Sequence, residues 1–202
     1  MSYNKMTPRR AIRITATTML MMALFTVFWT QVASLGMDDA TSRLVVWIFF
    51  VYSGLLTICA ACSFSASSRF SSTDTTTDYA AYRGQGILYG IVITCELLLL
   101  FAVTTVLLSP EQWNGAIPVI ALATGLHFYP VAWAFRRNTA YYLAAWTCFV
   151  TLTGMYILAG GETPGRAYML IGAGAALATA VCGIDMMCAC YVMIRKNGIT
   201  IP

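Results

Sequence analysis

The chain has 202 residues, 59% of them hydrophobic and only 10% charged, with a formal net charge of +4. Soluble domains use roughly 45–50% apolar and 25% charged residues, so a fold that hides this much apolar surface from water is excluded at this length. The few charges sit in short patches between apolar runs, each near or above the ~18 residues that carry a helix across a bilayer.

Six such runs are predicted, in one membrane domain covering 1–202. The first, 14–35, follows Lys5, Arg9, Arg10 and Arg13. Val32-Ala33-Ser34 loosely resembles a signal-peptide cleavage site, but the apolar stretch exceeds the usual ~7–15-residue core and reads as a retained span. It carries Gln31 near its outer end. The second run is 44–64, followed by a Ser/Thr-rich stretch, 65–82, that reads as a solvated cytoplasmic connector. The third, 87–108, contains Glu96, and the fourth, 116–135, contains His127 and Pro130. The fifth is 139–160, and the sixth, 167–194, contains Asp185. None of the runs alternates as a barrel strand does, so the expected fold class is all-α, an integral membrane bundle of six helices.

Arginine and lysine set the orientation. Ten of the twelve basic residues fall before span one, between spans two and three, between four and five, or after six. The other side receives Arg43 and Arg166 beside Asp38, Asp39, Glu111 and Glu162. By the positive-inside rule both termini are cytoplasmic and the protein is a multi-pass protein of the inner (plasma) membrane. The same flanking cations account for the net charge through anionic headgroups, so the expected partner is the lipid bilayer and not nucleic acid. Trp29, Trp47, Trp113, Tyr141, Tyr142, Tyr168 and Tyr191 lie near span ends and read as interfacial anchors.

An ionisable group inside a span is costly unless it faces the bundle interior, a partner or water. Glu96, His127 and Asp185 each lie eight or nine residues from the cytoplasmic end of their span, which at 1.5 Å per residue predicts one layer roughly 12–14 Å deep. Two carboxyls and an imidazole there would pass protons or bind a cation, the imidazole titrating nearest neutrality. The competing reading is that each side chain hydrogen-bonds to a neighbouring helix, holding the bundle together. Pro130 leaves the carbonyl of Leu126 without a helical donor directly beside His127, and broken helices next to ionisable groups are how many transporters build sites at membrane depth. A simple proline kink is the plainer alternative.

In span six, Gly172, Gly174, Ala176, Ala178 and Ala180 allow close helix approach, with Gly86, Gly90, Ala121 and Gly125 as expected partners or a second copy of the chain, in a homodimer, as another. Beyond them Cys182, Asp185 and Cys188 share one face. Cys59-x-x-Cys62 and Cys188-x-Cys190 are weak candidates for a metal or redox site, because buried free cysteine usually behaves as a small hydrophobe. No phosphate loop, nucleophile elbow or multi-histidine metal signature is present, and no cofactor is expected.

The run Gly125-Leu126-His127-Phe128-Tyr129-Pro130-Val131-Ala132-Trp133, followed by a basic turn and Tyr141-Tyr142, resembles a group of small uncharacterised bacterial multi-pass membrane proteins that share a G-x-H-F-x-P run. The resemblance covers spans four and five. It implies an inner-membrane location and draws attention to His127 and Pro130; it carries no activity. The leading expectation is a transporter of protons, cations or a small solute using Glu96, His127, Asp185, Pro130 and Gln31. The alternatives are a non-catalytic scaffold or accessory subunit, and a membrane-embedded enzyme acting on lipid or quinone.

Overall fold

The computed structural model describes residues 8–70, 91, 94, 98, 115–135 and 138–196. Among them lie five α-helices and no strand: α1 Pro8–Ser34, α2 Asp39–Ser67, α3 Ala116–Phe135, α4 Asn138–Ala159 and α5 Pro164–Lys196. α1, α2, α4 and α5 are each long and apolar enough to cross a membrane, and α3 holds a shorter apolar stretch, Ala116–Pro130. Five of the six predicted spans thus coincide with helices. The third, with Glu96, Gly86 and Gly90, lies outside the described residues apart from Ile91, Thr94 and Leu98, which are helical.

Local chemistry sets the helix ends. Pro8 opens α1, a position where its missing N–H costs nothing. Asp38 caps α2, its carboxylate accepting from the backbone N–H of Ala40 and Thr41 at 3.1 and 3.0 Å. The same bonds hold the Asp38 carboxyl below its ordinary range, with the Thr41 backbone N–H the largest cause. α4 stops in a Schellman turn: Gly161 has φ +80°, its N–H reaches the Leu158 carbonyl, and the N–H of Glu162 reaches that of Ile157. A side chain at Gly161 would be strained by that φ whatever the space around it.

α1 is the hub. It packs most extensively on α5 and α2, α5 also packs on α4, and α4 on α3, while α3 and α5 touch only lightly. α1 and α5 run antiparallel, with Gly36 against Gly165 at one end and the Cys190 thiol 3.8 Å from the Ile12 carbonyl at the other. Small residues make this possible. A Cβ on Gly172 would stand 2.7 Å from both the Ala33 Cα and the Trp29 carbonyl oxygen. The small face of α5 therefore packs on α1, and Gly174 faces Val150 of α4. Gly125, expected to meet span six, instead packs against Cys148 of α4.

Hydroxyls are built into these seams. Thr26 of α1 and Thr179 of α5 meet at 2.9 Å, and each also bonds to a carbonyl of its own helix. The Tyr52 phenol of α2 donates to the Ala180 carbonyl of α5 at 2.5 Å. Trp29, expected at the interface, is 2% exposed and sits in a core cluster with Val32, Ala121, Ile171, Ala175 and Ala176. It lies five residues from the end of α1, but on the face that α5 covers. Trp47, Tyr142 and Tyr191 are exposed, as interfacial or lipid-facing rings would be.

Candidate functional site

Asp185 is half-buried on α5 and accepts a hydrogen bond from the Thr139 hydroxyl of α4 at 3.2 Å. Thr139 is the second residue of α4, so the carboxylate stands beside a helix N-terminus, where the unpaired N–H groups and the helix dipole favour negative charge. This placement gives Asp185 a structural reason to exist within an apolar helix. It joins α4 to α5 at the end where α4 begins.

His127 is half-buried on α3, its ring edge-on to Phe128 with centroids 5.4 Å apart. Its level follows from the packing of α3 on α4. Gly125 faces Thr147 and Cys148, and the two helices run antiparallel, so His127 lies level with about residue 145 of α4. Asp185 lies level with residue 139. Six residues of helix separate the two levels, about 9 Å. His127 thus stands farther from the start of α4 than Asp185, and the helices that carry the two residues meet chiefly through α4.

The offset has a source in helix length. α5 runs eleven residues past Asp185 to Lys196, whereas α4 starts beside it. The C-terminal end of α5 therefore extends about 15 Å beyond the N-terminal end of α4. α1 and α2 go with it, since Ile12 meets Cys190 and Arg13 donates to the Ser67 hydroxyl at 3.3 Å. Arg9, Arg10, Arg13, Arg69, Arg195 and Lys196 gather at this end. Asp38, Asp39, Arg43, Glu162 and Arg166 gather at the other, where Glu162 and Arg166 pair at 2.7 Å.

Glu96 lies outside the described residues. Gln31 is exposed one turn from the end of α1, and its carbonyl accepts from the Ser34 hydroxyl. Pro130 lies inside α3. The Thr124 hydroxyl is bonded to the Ile120 carbonyl, so it is not turned toward the carbonyl of Leu126. The Cys182, Asp185, Cys188 stripe runs from buried through half-buried to exposed. Cys59 is half-buried, Cys62 exposed and Cys190 buried against α1. Among the described residues no three of His, Cys, Asp and Glu stand close enough to hold a metal ion.

An apolar groove of about 550 Å³ runs between α4 and α5, from Thr139 to Phe149. Thr139, Trp146 and the groove were not legible in the sequence. The partner of Asp185 is 46 residues away in the chain, and no spacing within either helix announces the pair.

The class these features define is an all-α bundle whose four long apolar helices are compatible with a membrane protein. No protein-family model, curated protein or solved structure matches the sequence, so the chemistry rests on the residues themselves.

Proposed function

We propose that the chain is a multi-pass inner-membrane protein with six spans and cytoplasmic termini, serving as a non-catalytic scaffold or accessory subunit. The observation that carries this reading is the bond from Thr139 to Asp185 beside the first turn of α4. It supports a packing role for Asp185, which stands about 9 Å along α4 from the level of His127. The excess of basic residues at one end of α1, α2 and α5, against only Arg43 and Arg166 beside Asp38, Asp39 and Glu162 at the other, supports the orientation. The bilayer is then the surrounding partner.

The test is reconstitution into proteoliposomes with wild-type protein and Asp185→Asn. The scaffold reading expects no pH-dependent proton or cation flux from either, and a lower thermal midpoint for the variant. Flux that the variant abolishes at unchanged stability overturns it.

A second reading, transport of a proton, cation or small solute along Glu96, His127, Pro130, Asp185 and Gln31, has one specific support. Pro130 withholds a donor from the Leu126 carbonyl beside half-buried His127, and Thr124 is committed to Ile120. Here Glu96→Gln removes pH-dependent flux while expression and folding persist; absence of flux in the parent protein removes this reading.

A further inference from the structure

The end of the bundle where α1 starts and α2 and α5 finish holds cations that the helices themselves disfavour. Arg9 and Arg13 lie one turn apart on the same face of α1, about 6 Å along its axis, where two like charges repel. Both fall in the first two turns of α1, whose unpaired N–H groups already carry partial positive charge and which has no acid in its first turn. Arg13 is also held in place. Ser67 of α2, fully buried, donates its hydroxyl hydrogen to the Phe64 carbonyl at 2.6 Å and accepts from the Arg13 Nε at 3.3 Å. The Arg13 side chain is exposed, and its terminal nitrogens form the edge that forks onto a phosphate. Arg195 and Lys196 of α5 are exposed at nearly the same level, since Ile12 meets Cys190 five residues before Arg195. Among the described residues no carboxylate lies at this end: Asp185, nearest along α5, stands ten residues, about 15 Å, before Arg195. Arg10 and Arg69 stand alongside with contacts of their own, so the site is built on Arg9 and Arg13.

We propose that the seam of α1 and α2 at this end binds a phospholipid carrying two phosphate groups joined by a glycerol, one phosphate on Arg13 and one on Arg9, with Arg195 and Lys196 adding attraction. The inference rests on the membrane placement proposed above and on neither functional reading. Depth selects a lipid over an acidic protein segment. Arg13 stands 21 residues before Ser34, about 32 Å. That matches the ~30 Å hydrocarbon thickness, so its guanidinium meets the inner headgroup layer when the other end of α1 meets the outer one. Lys196 stands 32 residues past Pro164, about 48 Å, just beyond the ~40–45 Å of a bilayer with both headgroup layers. The cations therefore span the inner headgroup layer and do not reach far into water. Spacing selects two phosphates over one. A diffuse basic flank attracts any anionic surface, whereas two guanidiniums on one face, one of them fixed by Ser67, offer two forked contacts about one helical turn apart. Phosphates bridged by one glycerol unit reach across that separation.

The test is native mass spectrometry of detergent-purified protein titrated with diphosphatidylglycerol, the two-phosphate lipid, or with phosphatidylglycerol at equal total phosphate. Wild type is expected to bind diphosphatidylglycerol roughly tenfold more tightly, the factor that one further charge-assisted hydrogen bond supplies. Arg9→Gln combined with Arg13→Gln should remove that preference. Arg13→Lys, which keeps the charge and loses the fork, should lower it several-fold. Arg43→Gln, at the opposite end of α2, should leave it unchanged. Equal affinity of wild type for both lipids, a preference that survives intact in the double variant or in Arg13→Lys, or an equal fall in Arg43→Gln overturns the proposal and leaves an unspecific basic flank. Recovery of the protein from the membrane fraction is scored separately, so failure of the placement is distinguishable from failure of the site.

Discussion

Substituting alanine for single glycines tests whether close backbone approach holds α1 against α5. At Gly172 the added methyl would stand 2.7 Å from the Ala33 Cα and 2.7 Å from the Trp29 carbonyl oxygen, both backbone atoms that cannot rotate away. Restoring ordinary separation requires the helices to part by about 1 Å. That opens the Thr26–Thr179 contact and loosens the packing around buried Trp29. Overpacking of this kind costs about 3 kcal/mol, against about 1 kcal/mol gained in helix propensity, so Gly172→Ala should destabilise by about 2 kcal/mol. At Gly174 the methyl would meet only Val150 side-chain atoms at 2.9–3.1 Å, so a smaller loss of about 1 kcal/mol is expected as Val150 shifts. At Gly54 nothing lies within 4 Å, and the substitution should be neutral or stabilise by about 0.5–1 kcal/mol. Unfolding in mixed detergent micelles, followed by circular dichroism, ranks the three. If Gly172→Ala is as stable as Gly54→Ala, α1 and α5 do not approach each other closely at Gly172 and the glycine has no packing role there.

Other consequences are checked more simply. Asp185→Ala should lower stability by about 1–2 kcal/mol through loss of the Thr139 bond and the charge at the α4 N-terminus, and Thr139→Val should reproduce most of the effect in the same unfolding assay. In detergent, exposed Cys62 and Cys188 should react with a small membrane-permeant maleimide faster than buried Cys182 and Cys190; equal rates at all four would refute the packing of α5 on α1. Asp38 has a carboxyl held below its ordinary value by the cap bonds. Its contribution is therefore complete above the unfolded carboxylate range and is lost as pH falls through the lowered folded value. An acid titration of stability should show this component in wild type and not in Asp38→Asn.

Fold class was legible because it depends on quantities that add along the chain. Apolar run length predicts helices 116–135, 139–160 and 167–194, and the structure has Ala116–Phe135, Asn138–Ala159 and Pro164–Lys196. Pairing was not legible, because it depends on which face of each helix meets which neighbour. Gly125 and Gly172 carry the same small-residue signal, yet one packs on α4 and the other on α1. Trp29 shows the same limit: nearness to a span end predicts an interfacial ring, and only the approach of α5 makes it core.

His127 and Asp185 stand at different levels along α4 for a physical reason that concerns length, and Glu96 lies outside the described residues. Counting residues inward from each cytoplasmic end assumes that all helices end in one plane. α5 has 33 residues and α4 has 22, and with the end of α4 joined to the start of α5 by a short Schellman turn the difference appears at the opposite end. The nine residues after Asp185 therefore run alongside α1 and α2, past the start of α4, and the carboxylate stands at the first turn of α4. His127 sits on a helix of 20 residues that matches α4 closely, so the same count leaves it farther along α4. Depth in such a bundle is read from interhelical register, and here the register rests on two close approaches, Gly125 to Cys148 and Thr139 to Asp185.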